Sequence, residues 1–110
     1  MRADLVALES VVAVYDLGTV VDAAAARGYS AAAISRQITR VQRRLGFRLF
    51  EPRGRTIVPT SHAARLVDIA RPVLAEVRML ERDLQAMLAA GGAEPAAARG
   101  QDGLQLAPLS

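Results

Sequence analysis

The stretch that decides the fold is SAAAISRQITRVQRRLGFRLF, Ser30 to Phe50. It carries Arg36, Arg40, Arg43, Arg44 and Arg48 and no acidic residue. Its apolar residues nevertheless recur with a helical period. At about 100° per residue, with Ile34 set at zero, Ile38, Val41 and Leu45 fall within about 40° of it. Arg36, Thr39, Arg40 and Arg43 fall at about 140–240°, and Ala32 joins them near the N-terminal end. Ser30 is a preferred N-cap residue. The pattern predicts a helix that buries one face and presents an opposite face, basic along its length and small at its tip.

The surrounding charge sharpens this asymmetry. From Arg27 to Arg55 there are eight arginines and one acid, Glu51, which is +7; the remaining six arginines and ten acids give −4, and the 110-residue chain sums to +3. No lysine occurs. Arginine in place of lysine says little beside so many alanines, so the clustering is the signal. A basic stripe on an otherwise acidic chain points to a polyanionic partner, with a solvated helix face as the plainer alternative. The absence of cysteine excludes disulfides, thiolate metal sites and thiol nucleophiles, and fits a reducing compartment. The first residues lack a continuous apolar run with a small-residue cleavage site, and no run approaches a membrane span of about 20 residues. The length allows one small domain with a tail. A cytoplasmic location is expected.

The flanking sequence has the same helical character. Leu5, Leu8, Val11, Val12 and Tyr15 follow 3–4 spacing and predict a first helix ended by Gly18. Thr19 with Asp22 three residues on is a variant of the capping box and opens a short second helix, VVDAAAARG, closed by Gly28. Two helices so close, with glycine at the bend, predict a helix-turn-helix. After Gly46, FRLFEPRGRTIVPT predicts a two-stranded wing with Arg53 and Arg55 at its tip. Thr60 caps a long helix over about Ser61–Ala90, in which Leu66, Ala70, Val73, Val77, Leu80, Leu84 and Met87 repeat at steps of three and four. A small core has little use for a seam about 45 Å long, so its later turns want a partner helix, while Leu66 and Ala70 are placed to cover the core. Pro72 is expected to kink this helix. From Gly91 onward, glycine, alanine and proline without periodicity predict a flexible tail. The expected organisation is a winged helix-turn-helix at 1–60, a linker helix at 61–90 and a tail at 91–110.

ISRQITRVQRRLGFRLFEPRGRTIVPTSHA resembles the DNA-binding domain of LysR-type transcriptional regulators. The matching positions are Ala23, Ala24, Ser30, Ala33, Ile34, Ser35, Ile38, Leu45, Gly46, Leu49, Phe50, Arg55, Thr60 and Ala63, and the resemblance spans about Asp4 to Leu88. It implies a mainly α fold, three helices plus a short two-stranded wing, followed by a long dimerisation helix. Four positions depart from the family pattern. A frequent base-contacting glutamine is Ala31, an arginine is Pro52, the Leu-Thr pair is Pro59-Thr60, and a glycine is Ala64. Family members also carry a larger C-terminal effector-binding domain, which this sequence does not include; an excised domain and a naturally short regulator both fit.

The residues and the resemblance imply one mechanism. The helix after Ser30 would enter the major groove of bacterial double-stranded DNA with its N-terminal half at the base edges. Ala31, Ala32 and Ala33 offer apolar contacts only, such as thymine methyl groups, whereas Arg36 has the fork geometry for guanine. Ser35 can reach phosphate or a base edge, or bond back to its own helix. Thr39 and Gln37 are ambiguous, and Gln37 flanks the core stripe. Arg40, Arg43 and Arg44 are placed for phosphates. Arg53 and Arg55 are placed for the backbone or a narrow minor groove. Thr60 is first a helix cap, with phosphate contact as an addition. Leu66, Val73, Val77, Leu80, Leu84 and Met87 would form the homodimer seam, antiparallel as in the family's linker helices.

No nucleophile with a base, ligand cluster or phosphate-binding glycine loop is present. His62, the single histidine, reads as a surface helix residue. Neither enzymatic activity nor a metal, a cofactor or a small-molecule effector site is expected in this chain. The leading expectation is a sequence-specific transcriptional regulator acting as a homodimer. The second is a short LysR-like interaction module that heterodimerises with a full-length relative and modulates its DNA binding.

Overall fold

A computed structural model describes residues 2–91. In chain order the elements are α1 (Leu5–Leu17), α2 (Val20–Arg27), α3 (Ala31–Leu45), β1 (Phe50–Arg53), β2 (Thr56–Pro59) and α4 (Ser61–Gly91). The described residues form two units, one through Ala75 and a second from Glu76.

Local chemistry sets the helix boundaries. Asp4, Thr19 and Ser30 each use a side-chain oxygen to accept an otherwise unpaired first-turn amide, from Ala7 at 3.1 Å, Asp22 at 3.0 Å and Ala33 at 3.1 Å. Each such cap is worth about 1 kcal/mol over alanine. The bend between α2 and α3 turns on Gly28, whose φ of 72° is left-handed and costs an L side chain strain. Thr60 opens α4 by accepting from the Ala63 amide at 3.3 Å, while its hydroxyl donates to the Arg48 carbonyl at 2.8 Å. Pro72 lies inside α4 without ending it.

The core of the first unit is built from Ala7, Val11, Val14, Ala23, Ala24, Ile34, Ile38, Val41, Leu49, Phe50 and Ala63, with Leu45, Ile57 and Leu66 packed against it. The stripe expected for α3 is the buried one, extended by Gln37. The stripe expected for α1 is displaced except at Val11. Its buried face is Ala7, Ser10, Val11 and Val14, while Leu5 is exposed and Leu8, Val12 and Tyr15 are half-buried. Small residues at 7 and 10 let neighbouring backbone approach closely, and the larger leucines are left toward the edge. Ser10 is fully buried because its hydroxyl donates to Oε1 of the buried Gln37, a polar bond joining α1 to α3.

The wing is an antiparallel hairpin that pairs Phe50 with Pro59, Glu51 with Val58, Pro52 with Ile57 and Arg53 with Thr56. Its loop is Gly54-Arg55. Gly54 has φ 61° and Arg55 a negative φ, the sign pattern of a type II′ turn with glycine at its first central position. The first strand begins at Phe50, so Phe47 and Leu49 precede it. Leu49 is instead a core residue, and Phe47 stacks on His62 with ring centroids 4.0 Å apart.

In α4, Ala63, Val67, Ala70 and Leu74 are buried at steps of four and three. Arg71 reaches Asp16 through two hydrogen bonds of 3.0 and 2.6 Å. In the second unit the helix from Glu76 onward is almost wholly exposed, with Val77 half-buried. The helix ends one residue later than expected, at Gly91; the rest of the tail expected at 91–110 lies outside the described residues.

Candidate nucleic-acid interface

The buried face of α3 fixes what the other face presents. With Ile34, Gln37, Ile38 and Val41 turned inward, Ser35, Arg36, Thr39, Arg40, Arg43 and Arg44 line one open, shallow concave surface. Ala31 and Ala32 are exposed beside the capping Ser30, and Ala33 is half-buried. The N-terminal end of α3 is thus flat and small, and positive charge begins one turn later. A side chain approaching from outside would meet no bulk at residues 31–33 and a guanidinium at 36.

Two glutamines that the sequence left undefined hold this face in place. Gln37 takes the Ser10 hydroxyl and ties α3 to α1. Oε1 of Gln42 accepts the Leu49 amide at 2.8 Å and the Phe50 amide at 3.2 Å, so one side chain fastens the last turns of α3 to the start of the wing. The amides at 49 and 50 follow the helix end, where no backbone acceptor from the helix is in register. Gln42 supplies that acceptor. The α3 period leaves both residues at the border of its core stripe, and border residues reveal their partners only when the neighbouring elements are in place.

Arg53 closes β1 and Arg55 sits in the hairpin loop, both exposed. Thr60 is half-buried, and its hydroxyl is engaged by the Arg48 and Leu49 carbonyls and the Ala63 amide. The Ala63 bond is the helix cap, and the two carbonyl bonds tie the start of α4 to the segment that leads into the wing. Arg27, one of the eight clustered arginines, is used internally. Its guanidinium donates to the Val6 carbonyl at 3.2 Å and lies 5.2 Å from the Tyr29 ring centroid. Arg40 has an acidic neighbour, Asp4, with Nε 4.0 Å from Oδ2.

The residues expected at a helix seam divide in two. Leu66 packs on the core and Val77 is half-buried, whereas Val73, Leu80, Leu84 and Met87 are 50%, 55%, 47% and 67% exposed. Leu88 is exposed beside them at 69%. Among the described residues no group of three or more His, Cys, Asp or Glu side chains is arranged to hold a metal, and no helix is long and apolar enough to cross a membrane.

The same arrangement recurs in known proteins. The sequence profile of the family described as "Bacterial regulatory helix-turn-helix protein, lysR family" matches residues 5–64. Among solved structures, the complex of CbnR_DBD with DNA is 27% identical, with 76% of this chain covering 98% of that one at a TM-score of 0.66. VV2_1132, a LysR family transcriptional regulator, is 28% identical over 76% of this chain and 30% of its own, with a TM-score of 0.65. The oxidized form of Corynebacterium glutamicum OxyR shares the fold at 20% identity and a TM-score of 0.72, over 76% of this chain and 27% of that one. The chain therefore spans about a quarter of the length of OxyR. The chain belongs to the LysR family of bacterial regulatory helix-turn-helix proteins, a family of DNA-binding regulators, and carries that helix-turn-helix domain at residues 5–64.

Proposed function

We propose that this domain binds duplex DNA sequence-specifically as a homodimer, with α3 in the major groove. The observation that carries the reading is the open surface on which Ser35, Arg36, Thr39, Arg40, Arg43 and Arg44 converge, opposite the buried face of Ile34, Gln37, Ile38 and Val41. Ser30 and Ala31–Ala33 form the tip that meets base edges, where their small size admits thymine methyl groups. Arg36, one turn in, offers two parallel donors to guanine O6 and N7. Ser35 flanks it. Thr39, Arg40 and Arg43 follow the phosphate track, which supplies affinity without sequence information. Arg53 and Arg55 extend that track from the wing to the neighbouring backbone or minor groove. Thr60 orients the wing and first turn of α4, with its end directed at phosphate. The DNA complex of CbnR_DBD, which matches over nearly the whole of its chain, supports this use of the fold.

Dimerisation is assigned to the exposed apolar residues of α4, Val73, Leu80, Leu84 and Met87 with Val77 beside them. A two-fold dimer matches two half-sites in inverted orientation. The regulator is read as cytoplasmic, where its DNA is. Selection from a random duplex library at physiological salt tests the whole reading. The expected result is enrichment of an inverted repeat. A dimer that enriches no sequence would overturn it and favour a module that acts by pairing with a full-length relative.

A further inference from the structure

The carboxylate of Asp4 does two different things with its two oxygens. Oδ1 caps α1 by accepting the Ala7 amide at 3.1 Å. Oδ2 faces Nε of Arg40 at 4.0 Å, across from the middle of α3. Arg40 lines the basic surface with Arg36, Arg43 and Arg44, so Asp4 sets one negative charge at the border of a face otherwise made of cations. The pair is half-open to water, with the Arg40 and Asp4 side chains 51% and 31% exposed. It is thus accessible to a competing anion.

We propose that Asp4 is a brake on phosphate binding: it occupies Arg40 in the free protein and repels phosphate at the edge of the α3 face, lowering affinity for any duplex. The inference rests on the reading of α3 as the DNA-binding face. Approach through Nε leaves the terminal nitrogens of Arg40 able to meet a phosphate, so the brake weakens the contact without abolishing it. Its strength is that of an exposed ion pair, about two- to fivefold in affinity. Because it acts on a phosphate contact, it acts alike on random and selected sequence. A weaker grip on random sequence shortens the time a regulator spends on the many competing sites of a genome.

The test is Asp4→Asn in the full chain. Asparagine caps a helix as well as aspartate does, so the Ala7 bond is kept while the charge is lost; Asp4→Ser is a second neutral cap should Asn lower the melting temperature. Binding to a random-sequence duplex is measured by fluorescence anisotropy at low and physiological salt. The expected result is about two- to fivefold tighter binding, greater at low salt, with most of the gain absent when Arg40 is Ala. Asp22→Asn is the control for net charge and should gain less than Asp4→Asn. Unchanged affinity in both neutral-cap variants, or a full gain in the Arg40→Ala background, would overturn the brake alone. A wild-type chain that binds no duplex even at low salt would overturn the reading of α3 and the brake with it.

Discussion

Gln42 and Asp16 are single residues whose removal should be felt beyond their own position. Gln42 provides the acceptor for two successive amides where α3 gives way to the wing. Gln42→Leu leaves both without a partner in a half-buried place, at an expected cost of about 1–3 kcal/mol. Urea melts should show a lower midpoint with unchanged slope, and Gln42→Glu, which keeps an acceptor, should recover most of the loss. Equal stability for Gln42→Leu and wild type would remove the fastening role. Asp16 titrates below the usual carboxylate range, first because Arg71 donates hydrogen bonds to it; burial opposes this, and the Arg71 charge adds to the lowering. A carboxyl held lower in the folded state contributes stability above its unfolded value, about 4, and loses it as pH falls through the folded one. Asp16→Asn should therefore cost about 0.2–1 kcal/mol near neutrality, as for an exposed pair. The gap from wild type should shrink as pH drops below about 4. A gap that widens in acid would contradict the assignment.

At the scale of elements, α3 and α1 show why the buried face of one helix is legible in sequence and that of its neighbour is not. α3 alternates arginines with isoleucine and valine, so only one arrangement buries the apolar set, and that arrangement is found. The glycine and hydroxyl punctuation at Gly18, Thr19, Gly28, Ser30 and Thr60 marks helix ends by local chemistry alone, and each end lies where that chemistry puts it. α1 is apolar around most of its circumference. Period alone does not choose between the expected Leu5-Leu8-Val11-Val12-Tyr15 and the buried Ala7-Ser10-Val11-Val14, which share only Val11; small residues such as Ala7 and Ser10 suit a face packed closely against its neighbours. In α4 the expected run of Leu66, Ala70, Val73, Val77, Leu80, Leu84 and Met87 goes on past the core; Ala70 is buried together with Ala63, Val67 and Leu74, which that run did not include, while Val73, Leu80, Leu84 and Met87 are exposed. The exposed set is the proposed dimer seam. Leu80→Glu with Leu84→Glu should turn a dimer into a monomer in sedimentation equilibrium while helical content stays near wild type. A double variant that remains dimeric, or a monomeric wild type, would contradict that assignment.

Across the whole molecule, the basic face was legible and its restraints were not. The arginines of α3 and the wing can be counted in the sequence, and helical period places those of α3 on one side. The contacts Ser10–Gln37, Arg40–Asp4 and Arg71–Asp16 join residues far apart in the chain, and only the fold brings them together. The same holds for Arg27, which the sequence counts among the clustered cations and the fold turns onto Val6 and Tyr29. Salt dependence alone would not distinguish a reader of sequence from a basic surface, since both lose affinity as counterions compete. The ratio of affinities for selected and random duplex does. The most direct test compares that ratio for wild type, Arg36→Ala and Arg43→Ala at one physiological salt concentration. With Arg36 at a base edge and Arg43 at phosphate, Arg36→Ala should lower the ratio by about five- to a hundredfold, and Arg43→Ala should weaken both duplexes alike. A ratio that survives Arg36→Ala, or falls equally in both variants, would contradict direct readout through this face of α3.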